Sequence, residues 1–118
     1  LDAPQLLDLC AQAMQVYVAD PVYDYIVRLC EATRSEEDVL LGLSPRGMLA
    51  LCRAARAQAF LDGRDYVIPQ DAAQLLPFVA GHRLVMGAKA RLHEKTPQRV
   101  LEEILAKVPA PTGRAFSR

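Results

Sequence analysis

The chain has 118 residues, 52% of them hydrophobic and 6% aromatic, which suits one small domain with a single core rich in alanine and leucine. Its 14 basic and 14 acidic side chains cancel, so no overall charge draws it to nucleic acid or to an anionic membrane. No apolar run approaches the roughly 18 residues of a membrane span and no secretory signal is recognisable, so we expect a soluble cytoplasmic protein.

The three cysteines, Cys10, Cys30 and Cys52, are an odd number without paired spacing. Each falls in an apolar segment of helical pattern, which favours reduced, buried thiols over a disulfide framework. A cysteine and histidine nucleophile pair has no local signature here and is not favoured. No Cys-x-x-Cys or His-x-x-x-His spacing occurs, so the sequence predicts no metal site.

The first predicted helix runs from Ala3 to Met14, because apolar residues recur there at three- and four-residue steps. The residues on its predicted inner face are Leu6, Leu7, Cys10, Ala13 and Met14. The β-favouring residues 15–18 follow as an extended connector or a short strand. A second helix is then predicted with Asp20 as its cap, a proline at its first position and its end near Arg34.

Residues 35–43 are predicted to form a loop with two parts. Its first part, residues 35–38, is acidic, and we expect these side chains to be solvated. Its second part, residues 39–43, is apolar and is expected to pack beneath the start of a third helix. That helix is predicted to run from Pro45 to about Leu61.

Ser44, Pro45 and Arg46 give the third helix an unusual start. Ser44 is a strong N-cap candidate, and Pro45 occupies the first helical position, where its missing N–H costs nothing. Arg46 then stands in the first turn, where the helix dipole disfavours a cation by a few tenths of a kcal/mol. A guanidinium is favourable there when an anion such as phosphate binds both the side chain and the helix end. A solvated surface arginine is the alternative.

The fourth helix is predicted to begin at Pro69 and to end or kink near Leu76, because Pro77 removes a backbone hydrogen bond inside a helix. Apolar residues then alternate with others over residues 84–92, which predicts an extended segment. Residues 15–18 are its candidate partner strand.

Thr96 and Pro97 repeat the signal of a cap followed by proline and predict a strongly amphipathic last helix. Two prolines close this helix. Residues 110–118 have no pattern that could bury a side chain, so we predict a domain over residues 1–109 and a disordered tail.

Basic side chains are concentrated in residues 83–99, opposed within that span by the single acid Glu94. They are Arg83, Lys89, Arg91, Lys95 and Arg99. Without interleaved aromatic residues or a recognisable reading helix, this excess is weak support for nucleic-acid binding. It could equally face an acidic neighbour in an oligomer.

Six segments carry a resemblance to a known family. They are Tyr25-Ile26-Val27-Arg28-Leu29, Ala32-Thr33-Arg34, Gly42-Leu43-Ser44-Pro45-Arg46, Ala54-Ala55-Arg56-Ala57-Gln58-Ala59, Gly63-Arg64-Asp65-Tyr66-Val67-Ile68-Pro69-Gln70-Asp71 and His82-Arg83-Leu84. In this order they resemble the C-terminal helical lid of MoxR-type AAA+ ATPases. The resemblance is dense over residues 20–85.

The resemblance implies that Arg46 is a sensor-2 arginine, which in the intact ATPase approaches the terminal phosphate of ATP. Ser44 and Pro45 form the helix start that carries it. His82 and Arg83 match the His-Arg pair of the family and would contact the nucleotide. For His82 a hydrogen bond to a backbone carbonyl is the alternative.

The chain lacks the loop G-x-x-x-x-G-K-[ST] and a strand ending in paired acids, so it is not expected to hydrolyse ATP alone or to hold a cofactor by itself. The resemblance implies that ATP and magnesium bind a missing N-terminal P-loop module of the same protein. It also implies a chaperone-like ring homo-oligomer, often acting with a protein that carries a von Willebrand factor A domain.

The predicted fold class is therefore all-α, a small bundle of four to five helices with room for one short two-stranded pairing. The predicted function is that of a sensor-2 lid. The alternative is a stand-alone helical module that binds nucleic acid or protein through residues 83–99.

Overall fold

A computed structural model describes residues 2–112 and 116–118, and within these residues the chain forms six helices and one pair of short strands. In chain order the elements are α1 (Ala3–Ala13), α2 (Asp20–Ser35), β1 (Val39–Leu41), α3 (Pro45–Leu61), α4 (Pro69–Ala80), β2 (Val85–Met86), α5 (Ala88–Leu92) and α6 (Pro97–Lys107). The predicted all-α class is confirmed. Among these helices, none combines the length and the apolarity needed to cross a bilayer.

Three helices begin at the proline residue at which the sequence predicted their start. These are α3 at Pro45, α4 at Pro69 and α6 at Pro97, where the Thr96 hydroxyl caps the helix by accepting a hydrogen bond from the N–H of Arg99 at 3.2 Å. Helix α2 begins one residue earlier than predicted. Asp20 is its first residue instead of its cap, so its carboxylate lies in the first turn, where the helix dipole favours it.

The core lies between α2, α3, α4 and α6. Its fully buried apolar residues include Val22, Ile26, Leu29 and Cys30 of α2, Leu51, Ala55 and Ala59 of α3, Ala72, Leu76 and Ala80 of α4, and Val100, Leu101 and Ile104 of α6. Small residues on α3 and α4 let these two helices pack closely along each other. The start of α3 is therefore fixed to a packed helix.

Helix α4 does not end near Leu76 as predicted, but continues through Pro77 to Ala80. Leu76 and Ala80, which flank the proline, are both fully buried. Their burial offsets the one backbone hydrogen bond that the proline ring removes. The helix then ends at Gly81, whose N–H donates to the carbonyl of Pro77 at 3.0 Å.

The strand pairing exists, but its partners differ from the prediction. Strand β1 pairs antiparallel with β2, and Leu41 lies opposite Val85. The predicted extended segment contains only two strand residues before α5 begins. Tyr17, from the predicted partner, instead forms an isolated parallel bridge with Tyr66. The N–H of Tyr17 donates to the carbonyl of Asp65, and its carbonyl accepts from the N–H of Val67, both at 2.9 Å. A local alternation of apolar residues does not show which distant segment a strand will pair with.

Helix α1 forms nearly as predicted, but its predicted inner face is mostly outside the core. Only Ala13 of this helix is buried, and Cys10 is exposed, whereas the sequence predicted a buried thiol. Helical periodicity shows which residues share a face. It does not show whether the chain supplies a partner for that face.

The predicted boundary at residue 109 and the disorder predicted for residues 110–118 remain predictions. Residues 113–115 lie outside the described residues. Ala110 and Phe116 pack against the margin of the core, a contact that the sequence did not predict.

Candidate functional site

The start of α3 has the geometry predicted for it. Ser44 is extended, with φ −73° and ψ 167°, and its hydroxyl oxygen accepts a hydrogen bond from the N–H of Gly47 at 3.1 Å. Pro45 and Arg46 are the first two helical residues. The side chain of Arg46 is exposed and makes no ion pair with any residue that the structure describes. A cation therefore stands in the first turn, and none of the described residues neutralises its charge.

Two residues at the end of α2 hold the backbone just before this helix start. The N–H of Leu43 donates to the hydroxyl oxygen of Thr33 at 2.8 Å, and its carbonyl accepts from Arg34 Nε at 3.0 Å. The Thr33 hydroxyl in turn donates to the carbonyl of Cys30 at 2.6 Å. Thr33 and Leu43 are fully buried. We call this pair of contacts the Leu43 clamp, and it fixes the residue from which Ser44 and Arg46 extend.

Two glycines allow the end of α2 to approach the β1–α3 connection closely. A Cβ atom on Gly42 would lie 2.6 Å from the backbone nitrogen of Arg34 and 2.7 Å from its Cα atom. A Cβ on Gly47 would overlap the side chain of Leu43. Only glycine allows α2 and the β1–α3 connection to pack this tightly. The Thr-Arg pair and Gly42 occur in the segments that carry the family resemblance, but sequence reasoning assigned them no positioning role.

The strand pairing orients the segment with His82 and Arg83 relative to the connection that leads into α3. Because β1 and β2 are antiparallel with Leu41 opposite Val85, the residues before Val85 lie beside those that follow Leu41. Both side chains are exposed in the turn after α4, and neither makes a hydrogen bond or ion pair within the described part of the chain. The alternative of a carbonyl hydrogen bond for His82 is not observed there.

Three exposed basic side chains have the chemistry of a phosphate contact. Arg46 is exposed in the first turn of the 17-residue helix α3, and His82 and Arg83 are exposed in the turn after α4. The helix dipole and the two guanidinium groups all favour an anion. An anion that accepts several hydrogen bonds would match these donors.

The acidic loop after α2 was predicted to be solvated, but Asp38 is fully buried. One carboxylate oxygen lies 2.7 Å from His93 Nδ1, and the other makes an ion pair with Lys95 Nζ at 3.1 Å. Lys95 also pairs with Glu103 of α6 at 2.9 Å. We call these four residues the Asp38 network. It joins the loop after α2 to α6 through two basic residues of the segment between them.

The Asp38 network also changes the interpretation of residues 83–99. Lys89 lies 3.8 Å from Glu37, and Arg99 lies 3.7 Å from Glu103. With Lys95, three of the five basic side chains thus have acidic partners elsewhere in the chain. The excess of positive charge is a property of the local sequence and is largely neutralised by the fold, which weakens the hypothesis of a nucleic-acid interface.

Three possible metal ligands lie together in the same region, because oxygen or nitrogen atoms of Glu37, Asp38 and His93 are within 4.8 Å of one another. Asp38 already has His93 and Lys95 as partners. A cation would have to compete with the ammonium group of Lys95, so the chemistry of this group is that of an ion-pair network.

Burial alone would raise the pKa of Asp38, but the contacts from His93 and Lys95 outweigh it and hold the pKa below its ordinary value. A carboxyl group with a lowered pKa in the folded state stabilises the fold above its ordinary pKa, and this contribution is lost as the pH falls. We therefore expect the free energy of unfolding to fall below about pH 4.

We predict that Asp38→Asn reduces this acid dependence, because the amide cannot titrate. The measurement is urea unfolding at a series of pH values from about 5 to 2, where Asp38 changes protonation. Asp24→Asn is the matched control, since the Asp24–Arg28 pair is at the surface, with 60% and 59% of the side chains exposed. Identical pH slopes for the natural chain and Asp38→Asn would contradict the assignment.

Neither Cys30 nor Cys52 is an activated thiol. Burial raises the pKa of Cys30 to about 11, and burial also raises the pKa of Cys52. Thiols of this kind are poor nucleophiles at neutral pH. The hypothesis of a cysteine nucleophile is therefore not supported.

Comparison with known proteins gives a consistent result. Residues 31–104 match the family model described as AAA lid domain. The chain is 38% identical over 124 residues to the chaperone MoxR1 of Mycobacterium tuberculosis, covering 98% of this chain and 33% of that protein. It is 37% identical over 107 residues to the uncharacterized protein YeaC of Bacillus subtilis, covering 91% of this chain and 33% of the relative.

A solved structure shares the fold. The crystal structure of a "putative ATPase" from Cytophaga hutchinsonii superposes with a TM-score of 0.79 at 28% sequence identity, covering 86% of this chain and 34% of that one. The chain thus spans about a third of the length of these relatives.

Proposed function

Because this chain belongs to the AAA lid domain family and its relatives include MoxR proteins, we propose that it is the sensor-2 lid of a MoxR-type ATPase. In this role it contributes Arg46 to the binding and hydrolysis of ATP in the intact protein. The single observation that carries the proposal is Arg46 in the first turn of α3, exposed, without an ion pair among the described residues, and three residues after the Leu43 clamp.

Each residue of the candidate site has a part in the proposal. Arg46 donates hydrogen bonds to the terminal phosphate and stabilises the charge that develops there during phosphoryl transfer. Ser44 and Pro45 set the direction in which α3 presents Arg46. His82 and Arg83 contact the nucleotide from the turn after α4. Bound ATP with magnesium supplies the reacting phosphoryl group, and a P-loop module outside this chain supplies the cradle for its phosphates.

The fold holds Arg46 in place before the nucleotide binds. A guanidinium on a mobile loop would lose conformational entropy each time it met a phosphate, whereas α3 is fixed by a buried face and by the clamp. Binding energy is then available for the transition state. This explains why a lid with no catalytic base could still affect the rate of hydrolysis.

For the intact protein we propose a chaperone-like ATPase that assembles as a ring and works in the cytoplasm with a protein carrying a von Willebrand factor A domain. The support is the relationship to the chaperone MoxR1 and the free thiols of Cys30 and Cys52, which suit a reducing compartment.

The proposal is tested by comparing this chain alone with the intact protein that contains it. We expect no magnesium-dependent ATP hydrolysis above background from the isolated chain, because one arginine and a helix end cannot replace the backbone donors of a P-loop. The intact protein should turn over ATP. Hydrolysis by rigorously purified isolated chain, abolished by a substitution within it, would contradict the lid assignment.

A further inference from the structure

Helix α1 exposes an apolar face that nothing in the described chain covers. The exposed fractions are 53% for Leu6, 70% for Leu7, and 37% each for Leu9 and Met14. Cys10, one helical turn from Leu6 and Leu7, is also exposed. A run of aliphatic side chains on one helix differs from the scattered exposed leucines of an ordinary surface.

The packing of α1 against α3, the neighbouring helix among the described residues, leaves most of α1 exposed. It has 11 residues and buries only Ala13, while helices shorter than about 12 to 15 residues are marginal in water without tertiary packing. A capping box between Asp2 and Gln5 stabilises its first turn, with hydrogen bonds of 2.9 and 3.1 Å. Caps of this kind contribute only about 1 kcal/mol. We therefore expect α1 to be stabilised by packing against a second apolar surface.

The comparisons with relatives indicate which part of the polypeptide could supply that surface. The lid family model matches only residues 31–104, so α1 lies outside it. The Mycobacterium tuberculosis relative nevertheless aligns with 98% of this chain, which includes α1, and this chain is only 33% of that protein. Helix α1 thus accompanies the lid in a protein three times as long, and most of that protein is available to cover it.

We propose that the face formed by Leu6, Leu7, Cys10 and Met14 docks on an apolar surface of the larger remaining part of the same polypeptide. The inference rests on the proposed function, because it requires a parent protein with a further module. It makes α1 a fixed attachment between the two parts. The lid would then move relative to the rest of the protein through the segment that follows α1, while α1 itself stays with the larger part.

Cys10 provides a direct probe of this contact. We expect the thiol-specific modification of Cys10 in the intact protein, followed peptide by peptide with a maleimide, to be at least tenfold slower than in the same protein unfolded in urea. Cys30 is the internal control for burial in the lid core, since it is fully buried. Protection should be the same at protein concentrations above and below ring assembly.

Substitution distinguishes docking from structure within the lid. Leu7→Asp should raise the modification rate of Cys10 at least tenfold in the intact protein, whereas Leu92→Asp, at a side chain that is 81% exposed, should leave it unchanged. Modification of Cys10 at the unfolded rate would overturn the proposal, and so would protection that appears only as the concentration rises, which would assign the face to a second copy. None of these results depends on Arg46, so the test can fail while the lid function stands.

Discussion

Arg46→Ala in the intact protein should lower the rate of ATP hydrolysis by about tenfold to a thousandfold, because an arginine that meets developing phosphate charge in a site without water contributes several kcal/mol to the transition state. The fold should be almost unaffected. The side chain is exposed in the first turn of α3 and has no partner among the described residues, so the stability should change by less than about 1 kcal/mol. The measurements are steady-state hydrolysis and urea unfolding.

Two further variants separate position from charge. Arg46→Lys should restore only part of the rate, because an ammonium group lacks the planar fork of a guanidinium. Arg53 is also exposed and lies about two turns further along α3. Arg53→Ala therefore removes the same charge from the same helix, but at a position away from the helix start. If Arg53→Ala slowed hydrolysis as severely as Arg46→Ala, the position of the helix start would not be what matters.

Gly42→Ala should be among the most damaging single substitutions in the lid. The added Cβ would lie 2.6 Å from the backbone nitrogen of Arg34, and backbone atoms cannot move aside as a side-chain end can. The connection between β1 and α3 would have to shift, which strains or breaks the Leu43 clamp. Overpacking of this kind typically costs about 1 to 3 kcal/mol and occasionally more.

Gly87→Ala is the matched control, because Gly87 is half-buried beside β2, and the nearest atoms to its added Cβ would be 3.8 Å away. We expect Gly42→Ala to lower the midpoint of urea unfolding clearly and to reduce ATP hydrolysis in the intact protein. Gly87→Ala should have little effect on either. Equal midpoints for the two variants would show that the close approach at Gly42 is not needed.

Much of this fold could be predicted because its signals are local. A hydroxyl residue followed by proline is a helix-start signal that lies within four residues of sequence. This signal alone predicted the first residues of α3 and α6. The position of Arg46 followed from the same signals. The last helix was predicted to be strongly amphipathic, and one face of α6, with Val100, Leu101 and Ile104, is buried in the core.

The remainder depends on contacts between distant parts of the chain. Asp38 resembles a solvated acid until the fold brings His93 and Lys95 to it across more than 50 residues. Pro77 resembles a helix end until the burial of its neighbours is known. Likewise, the apolar stripe of α1 predicts a buried face, but none of the described residues covers it. In each case the local pattern predicted the wrong environment, because the deciding contacts come from parts of the structure distant in sequence.

The most direct test of the central claim is the affinity of the intact protein for a non-hydrolysable ATP analogue and for ADP, measured by calorimetry with and without Arg46→Ala. Since Arg46 is proposed to contact the terminal phosphate, its loss should weaken binding of the ATP analogue about tenfold or more and change ADP binding by less than about twofold. An unchanged affinity for the ATP analogue, or an equal loss for both nucleotides, would contradict the assignment of Arg46 to that phosphate.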